Sequence, residues 1–264
     1  MKKLGSDNTK SSIKVRKRVK RDMQNVDLMY SNSDYRVNKY KTTFWYNGPV
    51  LKCDIPKVAF IKNPPIETRF NLYKKLGLDE HVKIAMYAPT FRDKNKDEFD
   101  VYNYNFERII EVLNTRFGGD FVMLIRLHPN LRNSPVIENF AFNDHILDVT
   151  SMPDMEELLC ITDILFTDFS SSMFDYSIVG KPVILIAKDY KYYISVDREL
   201  YFDPKKDLPF EFCETEDDLI IAIQQFNHSE YYNKCGAFYA SLGLEDRGLG
   251  DKVLADIVMS QMRF

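Results

Sequence analysis

The chain has 264 residues, 45% of them hydrophobic, with 36 Lys/Arg against 39 Asp/Glu and a formal net charge of −3. That length allows one large domain or two smaller ones around a sizeable core, and the charge excludes bulk attraction to nucleic acid or to an anionic membrane, leaving only a local patch for such contact. Four scattered cysteines (Cys53, Cys160, Cys213, Cys235) with no C-x-x-C pair argue against a zinc site or disulfide framework and for reduced thiols in the cytoplasm, while the charged N-terminus lacks the apolar stretch of a signal peptide and no run nears the roughly 18 apolar residues of a membrane span.

In chain order, residues 1–45 are polar and basic. "KSSIKVRKRVKR" (10–21) carries seven Lys/Arg and no acid. It reads as a solvated helix face or as a patch facing anionic lipid or a phosphate polymer. "NPP" (63–65) reads as a linker. From about residue 83 strands and helices alternate. "KIAMYAP" (83–89) is a strand, "YNFERIIEVLNTRF" (104–117) a helix closed by Gly118-Gly119, and "FVMLIRL" (121–127) a second strand. "HILDV" (145–149) is a third strand, "MPDMEELLCI" (152–161) a helix, and "DILFT" (163–167) a fourth strand. "SSMFDYSIVG" (171–180) is a helix, "PVILIA" (182–187) a fifth strand, and "EDDLIIAIQQF" (216–226) and "DKVLADIVMSQM" (251–262) are amphipathic helices.

Short apolar strands separated by helices of about 8–14 residues predict an α/β fold with a Rossmann-like parallel sheet covered on both faces. Ligands of such sheets bind beyond the carboxyl ends of the strands. Four strand exits, "APTFR" (88–92), "RLHPN" (126–130), "DVTSM" (148–152) and "TDFSSS" (167–172), should therefore share one edge. They offer Thr90, Arg92, Arg126, His128, Thr167, Asp168 and Ser170 to Ser172, a set suited to a phosphorylated ligand beside helix starts. Taken singly, each has a plainer reading. Ser170, Ser171 and Asp168 suit helix caps, His128 before Pro129 suits a loop, and Arg92 and Arg126 suit surface ion pairs. There is neither a G-x-x-x-x-G-K-[ST] nor a G-x-G-x-x-G stretch. No carboxylate or histidine spacing calls for a metal, and no cofactor is expected.

"YAPTFRD", "RLHPN", "DVTSMPDMEELLCITDILFTDFSSSMFDYSIVGKPVI" and the late "GLGDKVLADIV" together resemble the CDP-glycerol glycerophosphotransferases, the teichoic acid polymerases and primases. The resemblance spans nearly the whole chain and is strongest over 84–194. It implies the C-terminal, donor-binding lobe of a GT-B type fold over 71–264, with residues 1–70 as a remnant of the acceptor lobe and a linker. It also implies transfer of glycerol phosphate from CDP-glycerol to a lipid-linked teichoic acid or capsule-like polymer, with release of CMP. The expected place is the cytoplasm, peripheral at the inner face of the cell membrane, with no nucleic-acid partner. A CDP-ribitol or nucleotide-sugar transferase of the same fold, or a non-catalytic nucleotide-binding subunit, are the alternatives.

Carried over by motif, the donor contacts fall on Pro89 and Thr90, on Arg126, Leu127 and His128, and on Ser170, Ser171 and Asp175. The two serines are expected to act as helix cap and pyrophosphate ligand together. His128, with Arg126, would stabilise charge as CMP leaves, which is its catalytic part. Two departures stand out. The family's W-H-G-T-P-L-K stretch carries the histidine that serves as the base, and "MKKLGSDN" resembles the residues directly after that histidine, so the resemblance implies a truncated or split form whose base is absent. And "DIPKVA" (54–59) stands where the family has G-Y-P-R-N-D, placing Lys57 where an arginine would be and keeping the charge without the bidentate fork.

Overall fold

The computed structural model describes residues 10–92, 99–197, 199–245 and 250–261. Its elements run α1 (Lys10–Asp22), β1 (Met29–Ser31), α2 (Asp34–Thr43), β2 (Val50–Lys52), α3 (Pro56–Lys62), α4 (Ile66–Leu76), β3 (Lys83–Tyr87), α5 (Phe106–Phe117), β4 (Phe121–Ile125), α6 (Pro135–Glu138), β5 (Ile146–Asp148) and α7 (Met155–Ile161). They continue as β6 (Ile164–Thr167), α8 (Ser172–Ile178), β7 (Val183–Ile186), α9 (Tyr190–Tyr192), β8 (Glu211–Cys213), α10 (Glu216–Gln225), α11 (His228–Ser241) and α12 (Gly250–Gln261).

Six strands form one sheet in the order β5-β4-β3-β6-β7-β8, and every neighbouring pair is parallel. The sequence explains why. Side chains alternate between the two faces of a strand, yet all five residues of β4 and all four of β6 and of β7 are buried. Both faces must then be covered, which suits apolar strands linked by helical crossovers. On this ground the Rossmann-like parallel α/β sheet expected from the sequence is the fold observed. Leu124, with no exposed surface, sits at its centre, and truncating such a side chain to Ala costs roughly 2–5 kcal/mol.

The strand order reverses between β3 and β6. The chain runs outward from β3 through β4 to β5, then returns on the other side of β3 as β6 and continues to β7 and β8. The carboxyl ends of β3 and β6 flank this switch point, where open α/β sheets hold their ligands.

Several elements differ from expectation. The three-residue β8 and the helix α11 were not foreseen. Besides the basic helix α1, the N-terminal part contains a β-α-β unit that was not foreseen, in which β1 and β2 pair in parallel across α2. The C-terminal residues fold back onto it. Asp34 and Tyr35 donate their N–H groups to the carbonyls of Gly243 and Leu242 (3.3 and 3.1 Å), and Glu245 donates to that of Asn32 (2.8 Å). The boundary expected at residue 70 falls within α4, and α3 and α4 both pack on α7. Gly250 opens α12 against α3: a Cβ there would lie 2.2 Å from the Asp54 carbonyl oxygen, so only a glycine lets the two backbones approach this closely.

Candidate active site

At the switch point, side chains continue the strand pairing beyond the last ladder bonds. Ala88 donates to Phe166 O (2.9 Å) and accepts from Thr167 Oγ1 at its own carbonyl (2.7 Å). Thr90 N–H then donates to Asp168 Oδ1 (2.8 Å). These backbone groups are buried, and each would otherwise lack a partner at a cost of about 1–3 kcal/mol. The Thr90 hydroxyl is the exception: it is buried and has no hydrogen-bond partner. Pro89 is buried beside it.

Arg92 and Asp168 are not the open site residues that their position at strand exits suggested. The Arg92 guanidinium is buried and pairs with both Asp168 Oδ2 (2.7 Å) and Asp189 (2.6 and 2.9 Å), and it donates to Thr90 O (2.6 Å). Phe169 and Tyr193, stacked at 4.0 Å, face it together with Tyr102. Burial alone would lower the Arg92 pKa, but Asp168 and Asp189 outweigh it and hold the group charged. Asp168 is likewise no helix cap, because its Oδ1 serves the N–H groups of Thr90 and Phe169.

After β6, Ser171 occupies the N-cap position of α8 but its side chain caps nothing. Ser170 Oγ accepts from the Ser172 hydroxyl (2.8 Å) and, more weakly, from the Ser172 N–H (3.4 Å). The expected doubling of Ser171 as cap and ligand therefore fails on the cap. α8 has only seven residues, so its end contributes little dipole, and the polar character here resides in the serine hydroxyls.

At the β4 exit, Arg126 has a buried Nε without a hydrogen-bond partner, while its Nη2 donates to Pro153 O at 3.4 Å. Burial lowers its pKa, partly offset by Glu156 and Asp154. Leu127 packs into the core and donates its N–H to Thr150 Oγ1 (3.1 Å), fixing the loop. His128 is exposed. Its Nδ1 accepts the Asn130 N–H (3.2 Å), which sets the neutral ring as the Nε2–H tautomer, and the ring lies 5.2 Å from that of Phe91.

Lys57 and Asp175, far apart in sequence, form an ion pair. Lys57 opens α3, and Asp175 is buried one turn into α8. Burial raises the Asp175 pKa, with Lys57 and Arg36 acting against it. A cleft of about 220 Å³ between the β1–α2–β2 unit and α8 is lined by Arg36, Lys39, Lys57, Ser171 and Asp175. A second cleft, of about 710 Å³, runs between α3, the start of α7 and the start of α12. It includes Lys57 with Asp154 and Glu156, the acids near Arg126. Lys57 thus stands where the two clefts meet. Arg36 and Lys39 were missed. Their spacing of three places both on one face of a helix, but nothing in the sequence said which face the C-terminal elements would cover.

Residues 1–257 match the family described as CDP-Glycerol:Poly(glycerophosphate) glycerophosphotransferase. The chain belongs to this family. It is 28% identical over 244 residues to a teichoic acid glycerol-phosphate transferase of Staphylococcus aureus, covering 90% of this chain and 62% of that protein. It is also 28% identical over 211 residues to a teichoic acid poly(ribitol-phosphate) polymerase of Bacillus spizizenii, covering 79% and 32%. Among solved structures, a histidine-to-alanine variant of the wall teichoic acid polymerase TagF superposes with a TM-score of 0.79 at 25% identity, covering 98% of this chain and 65% of TagF. In each case the chain spans less than two thirds of its relative's length.

Proposed function

We propose that this glycerophosphotransferase-family chain binds a CDP-activated alditol, CDP-glycerol first, at the carboxyl edge of its sheet. It serves the transfer of glycerol phosphate to a lipid-linked teichoic acid or capsule-like polymer. The observation that carries this reading is the Thr90 hydroxyl, buried without a partner at the switch point. An orphan donor in that place costs stability unless a ligand satisfies it. The Arg126 Nε, likewise without a partner, and the hydroxyls of Ser170 and Ser171 extend the same edge. In the reaction an acceptor hydroxyl attacks the β-phosphorus, the bond to the α-phosphate oxygen breaks, and CMP leaves. Arg126 supplies positive charge and His128 Nε2–H a hydrogen bond to the departing phosphate.

His128 belongs to the donor side, so the acceptor proton goes elsewhere. His81 and His145 precede β3 and β5, at the opposite edge of the sheet, and His228 opens α11 against Phe117 and Phe226. The 264 residues contain no W-H-G stretch, so the base in this reading is a histidine supplied from outside them. Residues 10–52 then represent the acceptor side, for which the β1–α2–β2 unit has the right architecture. Lys57 replaces the family's arginine by holding Asp175, which faces the alditol.

The N-terminal helix supports contact with the cytoplasmic membrane surface. α1 has seven Lys/Arg and one acid, Asp22, and Ile13 is exposed on it. No helix among the described residues is long and apolar enough to cross a membrane. Cosedimentation with phosphatidylglycerol vesicles at low salt, lost at high salt, is the expected result. Equal binding to neutral vesicles refutes it.

The central test is calorimetric titration with CDP-glycerol, CDP-ribitol, UDP-glucose and CMP. Binding of CMP and a CDP-alditol, with UDP-glucose weaker, is expected. Preference for UDP-glucose, or no binding at all, overturns the donor assignment. The ribitol arm is needed because relatives acting on each alditol match at the same 28% identity.

A further inference from the structure

We propose that Arg92, anchored by Asp168 and Asp189, is a positioning residue that fixes the Thr90 backbone from both sides and so sets where the Thr90 hydroxyl stands at the switch point. The inference rests on the donor-site reading above. It assigns Arg92 and Asp189 no contact with ligand.

The geometry is closed around one residue. Thr90 N–H is held by Asp168 Oδ1 (2.8 Å), and Thr90 C=O by Arg92 Nη1 (2.6 Å). The two holders are themselves joined, Arg92 Nη1 to Asp168 Oδ2 at 2.7 Å. A single nitrogen therefore hydrogen-bonds the carbonyl and ion-pairs with the carboxylate, and the chain of contacts returns to the peptide it started from. Asp189, beyond the end of β7, takes the other side of the guanidinium through Nε and Nη2. The Arg92 backbone N–H is used as well, donating to Tyr102 Oη (3.1 Å).

This is a costly way to stabilise a fold. A buried ion pair seldom outperforms well-packed apolar groups, because desolvation offsets most of the attraction. What the arrangement supplies is fixed geometry. Only a planar guanidinium can meet Asp189 with two parallel bonds and still reach the carboxylate and carbonyl on its far side. The residue whose backbone it grips carries a buried, unsatisfied hydroxyl. A hydroxyl held ready, with no internal partner and little freedom to move, binds a phosphate oxygen without a cost for ordering itself.

A lysine at position 92 keeps the charge but cannot span all four oxygens. The test is a double-substitution cycle on the full chain, reading CMP and CDP-glycerol affinity by calorimetry, with the melting temperature recorded for every variant. Arg92→Lys is expected to weaken binding about tenfold in the natural background and less than about twofold in a Thr90→Val background, since its effect passes through the hydroxyl that Val lacks. Asp189→Asn, which leaves Arg92 and Asp168 in place, is read through the same cycle and should show the same non-additivity. It keeps the question answerable where Arg92→Lys does not fold. Equal losses in both backgrounds mean that Arg92 and Asp189 act on the fold at large and overturn the proposal, as does unchanged affinity in the natural background. Absence of CMP and CDP-glycerol binding by the unsubstituted chain overturns the donor-site reading and this role together. Binding that ignores Arg92 and Asp189 overturns this role alone.

Discussion

Replacing Thr90 by Val should move stability and binding in opposite directions. The residue is buried at the end of β3, and its hydroxyl has no partner in the unliganded protein. Val keeps the branched shape and exchanges the hydroxyl for a methyl. Leaving a buried polar group unsatisfied costs about 1–3 kcal/mol, so the substitution should return an amount of that order. For domains of this size each kcal/mol shifts the melting temperature by roughly 2–4 °C, which predicts a rise of at least a few degrees by scanning calorimetry. In the liganded protein the same hydroxyl gives one hydrogen bond to a phosphate oxygen. A bond to a charged group contributes about 1.5–3 kcal/mol, equivalent to roughly ten- to a hundred-fold in CMP or CDP-glycerol affinity. A hydroxyl that served only the fold would lower the melting temperature when lost and leave affinity unchanged. A fall in melting temperature with unchanged affinity would therefore refute the reasoning, because it would show that the hydroxyl has an internal partner and no ligand.

Asp175→Asn tests the pair with Lys57 through pH. Burial raises the Asp175 pKa above 3.8, so the folded state takes up this proton more readily than the unfolded chain. The associated stability is full below the ordinary carboxylate value and is lost as pH rises through the raised one. The Asn variant lacks this dependence, so its melting temperature relative to the natural chain should be higher at about pH 7 than at about pH 4; the reverse trend would show that Lys57 outweighs burial. His128→Ala and Ser170→Ala should each weaken CDP-glycerol binding about ten- to a hundred-fold with little change in melting temperature, and unchanged affinity in both would remove that edge from the site. Gly250→Ala places a Cβ 2.2 Å from the Asp54 carbonyl oxygen. It should lower the melting temperature by several degrees, as overpacking by about 1–3 kcal/mol does, and a neutral result would mean that α12 can slide on α3.

The sheet was legible because its strands are covered on both faces. β3, β4, β6 and β7 read as unbroken apolar runs, and strand polarity then placed four exits along one edge. β8 escaped because it has three residues and an exposed Glu211. α11 escaped because much of its buried face is tyrosine. Tyr231 Oη donates to the Lys181 carbonyl (2.8 Å), and Tyr239 Oη bonds to Ser177 Oγ. Phenols satisfied in this way look polar in sequence and behave as core in the fold. Within the site, the sequence showed which residues leave the strands but not whom they meet. Arg92 looked like a cation for a ligand because its partner Asp189 lies beyond the end of another strand. Lys57 and Asp175 were each placed near the donor by motif, and only the packing of α3 on α8 shows that they hold one another.

The return of the C-terminal residues to the N-terminal β-α-β unit orders events during synthesis. Residues 242–245 supply carbonyl and amide partners to residues 32–35. The β1–α2–β2 unit therefore cannot complete its hydrogen bonding until residues 242–245 have left the ribosome. The central sheet from β3 to β7 lacks this dependence, since each strand pairs with one made before it. The nascent chain should thus carry a folded sheet beside an unfinished, basic, tyrosine-rich β-α-β unit, and the closure that forms the cleft beside Lys57 and Asp175 should come after translation of residues 242–245. Contacts of such sequence separation form slowly, and a unit waiting that long is exposed to proteases and to premature association.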